Sequence, residues 1–175
     1  MIGTHFIPAS IHHGIPEVQA AGLLAFMGIF NMIGTMFSGW LSDRFDNRWL
    51  LFWYYGLRGL ALLFLPYVFG LQSYFLFMAF AVFYGLDWLA TVSPTVRLAS
   101  DHFRKERGTV IFGWLFAAHQ LGSGAAAFFG GYTYELFDSY TVTFISAGIL
   151  CILAMLLVFS MKKQQPAAAS KRLSL

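Results

Sequence analysis

Ser38–Leu51 reads SGWLSDRFDNRWLL. Two aspartates, Asp43 and Asp46, and two arginines, Arg44 and Arg48, share this short turn, while the sequence on either side is almost free of charge. Charged side chains are costly in hydrocarbon, and apolar flanks of about 20 residues are costly in water. The turn is therefore where the chain leaves a membrane and goes straight back into it.

Composition points the same way. Of 175 residues, 58% are hydrophobic and 11% charged, and the mean hydropathy is +0.66. A soluble domain carries roughly 25% charged residues. The shortfall excludes a soluble core-and-surface design and implies an integral membrane protein. The net charge of +3 does not point to nucleic acid, because the basic residues gather on no single patch. Cys151, the one cysteine, lies inside an apolar stretch and reads as a small buried hydrophobe. The opening MIGTHFIPASIHH has neither a basic leader nor a clean apolar core, so it is not read as a secretory signal.

Five segments are long enough to cross a bilayer: Val18–Leu41, Trp49–Leu71, Ser73–Val96, Gly108–Tyr132 and Tyr140–Met161. The first, fourth and fifth hold no Asp, Glu, Lys or Arg; the second holds only Arg58 and the third only Asp87. Helix is expected throughout, because a lone strand cannot satisfy its backbone in lipid and the alternating pattern of barrel strands is absent. Pro16 followed by Glu17 suits a helix start. The expected fold is thus all-α, a multi-pass transmembrane helical bundle of about five spans. Residues 1–16 form an extracytoplasmic stub, 17–161 the bundle, and 162–175 a disordered basic cytoplasmic tail.

The connections set the orientation. Ten of the eleven Lys and Arg residues fall on one side: Arg44 and Arg48, then Arg97, Arg104, Lys105 and Arg107, then Lys162, Lys163, Lys171 and Arg172. The other side holds none of them, but carries Glu17, Glu135 and Asp138. By the positive-inside rule the basic side is cytoplasmic, which places the C-terminus inside and the protein in the cell (inner) membrane.

These residues resemble a known family. GWLSDRFDNR at Gly39–Arg48 is similar to the cytoplasmic loop signature G-x-L-[AS]-D-R-x-x-x-R of the major facilitator superfamily, found between helices two and three and again between helices eight and nine. PTVRLASDHF at Pro94–Phe103, Gly113, the run Gly122–Gly131 and Asp138-Ser139-Tyr140 resemble the region from helix ten to helix twelve in monocarboxylate-porter-like and oxalate/formate-antiporter-like members. The resemblance implies that the five spans are helices eight to twelve and that Met1–His13 is the outer end of helix seven. The chain would then be the C-terminal half of a major facilitator fold, supplying one wall of a site shared with a missing N-terminal half.

Polar residues inside membrane spans are the best pointers to function. Arg58 lies nine residues beyond Trp49, and Asp87 nine before Val96. At about 1.5 Å per residue both sit roughly 14 Å from the basic face, and antiparallel neighbouring spans could bring them side by side. One reading is a structural ion pair that keeps both charges buried; the other is that Arg58 meets an anionic substrate while Asp87 takes up a proton. Monocarboxylate porters are thought to use an Arg–Asp couple on the eighth helix, whereas here the two residues fall on the ninth and tenth. His119 and Gln120 also lie near mid-depth, with His119, Ser123 and Ala126 on one face. His119 reads as either a proton-responsive group or a member of an interhelical hydrogen bond. Gly28, Asn31, Thr35 and Ser38 form one small or polar stripe, and Tyr84, Asp87, Thr91 and Thr95 a second. Such stripes serve close packing or a solute pathway; a pathway is the favoured reading.

Gly122-Ser123-Gly124-Ala125-Ala126-Ala127, with Gly130 and Gly131, would permit close helix approach and bending, and lacks the ending of a nucleotide loop. Pro66 and Pro94 are read as lying near span ends. His5, His12 and His13 lack the partners of a metal site. No cofactor is implied, and no nucleophile, base and orienter converge, so no enzyme is expected.

The expected function is secondary active transport (symport) of a small solute by alternating access, with a small organic anion as substrate. Arg58 would attract the anion, Asp87 or His119 would carry the proton, and Asn31, Thr35, Thr91 and Gln120 would line the path. In the family the loop charges latch onto neighbouring helix ends, which implies a gating role for Gly39, Asp43, Arg44 and Arg48, with Asp43 set against the N-terminus of a helix in the missing first half. The alternatives are a proton-driven exporter of drugs or metabolites and a non-transporting fragment or half-transporter that needs a partner half. The expected partners are the lipid bilayer, the small-molecule substrate and the missing half, with no nucleic acid.

Overall fold

In lipid an apolar segment must pair its backbone groups within itself, and a helix does so residue by residue. The computed structural model describes residues 2–71, 73–103 and 105–161, and every element among them is an α-helix. In chain order they are α1 (Ile2–His12), α2 (Glu17–Ser42), α3 (Asn47–Leu71), α4 (Tyr74–Asp87), α5 (Val92–His102), α6 (Lys105–Phe137) and α7 (Thr141–Ser160). The protein is an all-α, multi-pass membrane bundle.

Four described runs are long and apolar enough to cross a membrane: Glu17–Ser42, Asn47–Leu71, Tyr74–Asp101 and Thr141–Ser160. The remaining expected span, Gly108–Tyr132, lies inside α6, which has ample length at 33 residues. Its Gly, Ala, Ser, His and Gln residues leave it less apolar than α2, α3, α4 and α7. The third span departs most from expectation. It is two helices separated by a turn at residues 88–91, and it ends beyond Val96 at His102. The basic tail expected at 162–175 lies outside the described residues.

Glycines set how closely the helices approach. A Cβ on Gly34 of α2 would run into the carbonyl oxygen of Leu86 in α4, and one on Gly85 would stand 2.7 Å from that of Met27. α2 and α4 therefore cross backbone against backbone. α3 and α7 do the same at Gly59 and Gly148, where each missing Cβ would lie 3.0 Å from the other's carbonyl oxygen. Small residues at helix contacts give tight van der Waals packing where hydrocarbon supplies no hydrophobic drive between helices. In α6, Gly130 accommodates His5 of α1, whereas Gly122, Gly124 and Gly131 face nothing within 4 Å among the described residues.

α1 is tied in by its buried face of Ile2, His5, Phe6, Ala9 and Ser10. Phe6 sits among Phe69, Phe80 and their neighbours in the aromatic core, and the His5 ring nitrogen bonds the Ala127 carbonyl of α6 at 2.9 Å. The outer surface is apolar, with Phe75 78% and Leu157 69% exposed. Such exposure suits contact with acyl chains.

The α2–α4 crossing makes a stability prediction. Gly34→Ala should cost about 1–3 kcal/mol through overpacking, read as a lower Tm in detergent. Gly28→Ala, with nothing within 4 Å of the added carbon, should leave Tm unchanged or slightly higher. Matching Tm values for the two variants would contradict the close crossing.

Candidate functional site

The break between α4 and α5 begins with Pro94. Proline has no N–H, and its ring crowds the carbonyl four residues back, here that of Ala90. Pro94 therefore lies not at a span end, as the sequence suggested, but in the first turn of α5 and deep in the bundle, where it is fully buried. The turn uses short-range bonds: Trp88 N–H to Gly85 O at 3.2 Å, Ala90 N–H to Asp87 O at 3.2 Å, and Val92 N–H to Leu89 O at 3.0 Å. This tightening leaves the Leu89 N–H and the Trp88 and Ala90 carbonyls without their usual helical partners.

Neighbouring helices supply them. From α2, Asn31 Oδ1 accepts the Leu89 N–H at 3.0 Å, and the Ser38 hydroxyl donates to the Ala90 carbonyl at 2.5 Å. From α3, Arg58 donates through Nη2 to the Trp88 carbonyl at 3.0 Å and to the Asp87 carbonyl. Its Nε also donates to Asp87 Oδ2 at 2.7 Å, an ion pair whose side chains are 15% and 7% exposed. A buried ion pair is tolerable only when its remaining polar atoms also find partners. The planar guanidinium fork meets that condition with three acceptors, which a lysine could not match.

Three groups are left uncommitted. Asp87 Oδ1 is buried and has no hydrogen-bond partner among the described residues. Arg58 Nη1 donates to none of them. The Asn31 NH2 group is likewise uncommitted, since the Leu89 N–H fixes its oxygen as the inward atom. A guanidinium edge, a half-buried amide and a free, buried carboxylate oxygen therefore flank the same helix break. Chemically they can bind an anion and hold a proton.

The structure thus joins Arg58, Asp87 and Asn31. Thr35 is linked only through a long 3.5 Å contact to Asn31 Oδ1. Thr91 sits in the turn itself, and its carbonyl accepts the Thr95 hydroxyl at 2.6 Å. His119 and Gln120 are exposed on α6. Ser38, seen in the sequence as one member of a stripe, and Pro94 prove integral to the break. Pro94 was the signal: a proline well inside an apolar run implies unpaired backbone that other polar side chains must meet.

The charged turn is tied to other helix segments of this chain. Asp43 caps the C-terminus of α2 and pairs with Arg97 in the middle of α5. Arg48 bonds Asp46 at 2.9 Å and donates through Nη1 to the Met161 carbonyl at 2.6 Å, so it meets the exposed end of α7. Arg44 lies 4.2 Å over the Trp40 ring. The ends of α2 and α7, the start of α3 and Arg97 of α5 therefore meet around this turn. Gly39 has room beside Ser93.

A family model described as Major Facilitator Superfamily matches residues 2–174. Monocarboxylate transporter 12-B of Danio rerio is 27% identical over 161 residues, covering 89% of this chain and 33% of that protein. Monocarboxylate transporter 12 of Xenopus laevis is 26% identical over 158 residues, covering 88% and 34%. The uncharacterized MFS-type transporter YcxA of Bacillus subtilis is 24% identical over 143 residues, covering 80% and 35%. The chain spans about a third of the length of the curated relatives it matches.

The caps make a testable contrast. Ser38→Ala strips the Ala90 carbonyl of its donor in a dry setting, and should cost about 1–3 kcal/mol. Thr35→Ala removes only the long contact and should stay within about 0.5 kcal/mol. Thermal unfolding of the two variants in detergent would show whether the break needs its cap.

Proposed function

Since this chain belongs to the major facilitator superfamily, we propose that it is part of a secondary transporter that moves a small organic anion together with protons by alternating access. The observation carrying this reading is the buried Arg58–Asp87 pair, with guanidinium donors and a carboxylate oxygen both uncommitted. An anionic carboxylate docks on the Arg58 Nη1 and Asn31 NH2 donors. A proton arriving at Asp87 Oδ1 cancels that group's charge, so the guanidinium turns its field toward the solute. Loss of the proton restores the ion pair and weakens the hold on the anion. Anion and proton then travel as a neutral pair, which lowers the cost of crossing a low-dielectric barrier.

In the same reading Thr35, Thr91 and Gln120 line the route, and His119 is a second proton carrier on α6. The printed names of the relatives from Danio rerio and Xenopus laevis, monocarboxylate transporters, favour a small monocarboxylate as substrate. The basic face is cytoplasmic and the membrane is the cell (inner) membrane. Gly39, Asp43, Arg44 and Arg48 form the gating loop, with the Asp43–Arg97 pair opening and closing as the basic face does. Because the relatives are about three times longer, a second half completes the cavity, and these 175 residues alone carry no flux.

Uptake of labelled monocarboxylates into vesicles that hold this chain together with the half that completes the cavity tests this. Arg58→Gln should lower kcat/KM on the order of 10- to 100-fold, the effect of losing a charge-assisted hydrogen bond. Asp87→Asn should abolish the dependence of uptake on an imposed pH gradient. Asp43→Asn should slow turnover while leaving Tm nearly unchanged, as expected for a pair whose side chains are about half exposed. Full monocarboxylate uptake by Arg58→Gln would defeat the anion role; competition by hydrophobic cations instead would favour a drug exporter.

A further inference from the structure

The Arg58 guanidinium sits on an unusual set of acceptors. The break supplies the Asp87 and Trp88 carbonyls, and Asp87 adds a carboxylate. All are oxygens, and the second carboxylate oxygen is buried with no partner among the described residues. Unwound helical carbonyls beside a carboxylate are the ligands with which interrupted transmembrane helices hold alkali cations. Hard cations favour this kind of oxygen set.

We propose that Arg58 is a tethered cation occupying an alkali-cation site formed by the α4–α5 break. The break creates a negative pocket in a medium where an uncompensated negative charge is costly. α3 meets that need covalently, with a cation that cannot dissociate or lose its proton. Two of its nitrogens, Nε and Nη2, fill the pocket, while Nη1 stays clear of it. It follows that this site uses no sodium in the intact protein, and that deleting the guanidinium uncovers a site for a free monovalent cation. This inference goes beyond the transport reading and is tested without measuring transport.

The test is ion-dependent thermal stability of the purified native protein and three variants, at constant ionic strength, titrated with guanidinium, sodium or choline at millimolar levels. Arg58→Ala should have a Tm several degrees below wild type. Guanidinium, sodium or both should raise it saturably, as a ligand bound only to the folded state must. Choline, too large for the pocket, should not. Wild type should not respond, because its site is filled. Arg58→Ala/Asp87→Asn should not respond, because the carboxylate charge is gone. Arg58→Lys should fall between wild type and Arg58→Ala, since an ammonium meets fewer of the acceptors. If Arg58→Ala cannot be recovered in plain buffer, recovery as monodisperse protein with guanidinium or sodium present, but not choline, supports the proposal. Failure in every solution overturns it. So does an ion response equal to that of wild type or of the double variant.

Discussion

Everything in this bundle is arranged around one demand: a backbone that stops being helical inside a membrane must still pair its N–H and C=O groups. α4 and α5 stop at Pro94's insistence, and three side chains from two other helices answer. Asn31 takes the orphan N–H; Ser38 and Arg58 take the orphan carbonyls. Each cap can reach only because its helix lies close. Gly34 and Gly85 let α2 rest directly on α4, which brings Asn31 and Ser38 within hydrogen-bonding range. Small residues and polar residues are thus two halves of one device.

Much of this was legible in the sequence. The charged turn at Asp43–Arg48 and the charge-poor flanks fixed the membrane reading and the helical class, because the energetic penalties involved are large. The depth of Arg58 and Asp87 followed from counting residues, and the two do meet. Less visible was what they meet for. Hydropathy averaged over a window does not register a break in the backbone, so Ser73–Val96 read as one span. Only Pro94 marked the interruption, and a proline by itself does not reveal whether a helix bends or stops. Nor did the sequence show that Asp43 meets Arg97 of α5 within this chain.

α6 shows where local pattern gives least. Its glycine run permits close helix approach and bending. Apart from Gly130 against His5, the glycines tested there find no close neighbour among the described residues. A cleft of about 420 Å³ separates α6 from α7, lined by Gly122, Ala126, Thr133, Thr143, Ser146 and Leu150. Sequence specifies that a face is smooth and small; it does not specify what lies against it.

The Gly59–Gly148 contact has a mechanical side. With no side chain between the two backbones, α3 and α7 have no cushion and little freedom to slide. Gly59 directly follows Arg58, and eleven residues earlier, about 16 Å along the axis, Arg48 grips the last turn of α7 at Met161. A rod fixed to its neighbour at two points resists bending between them. α3 and α7 thus form a double-walled strut, and a force applied at the buried guanidinium would tilt the pair as a unit.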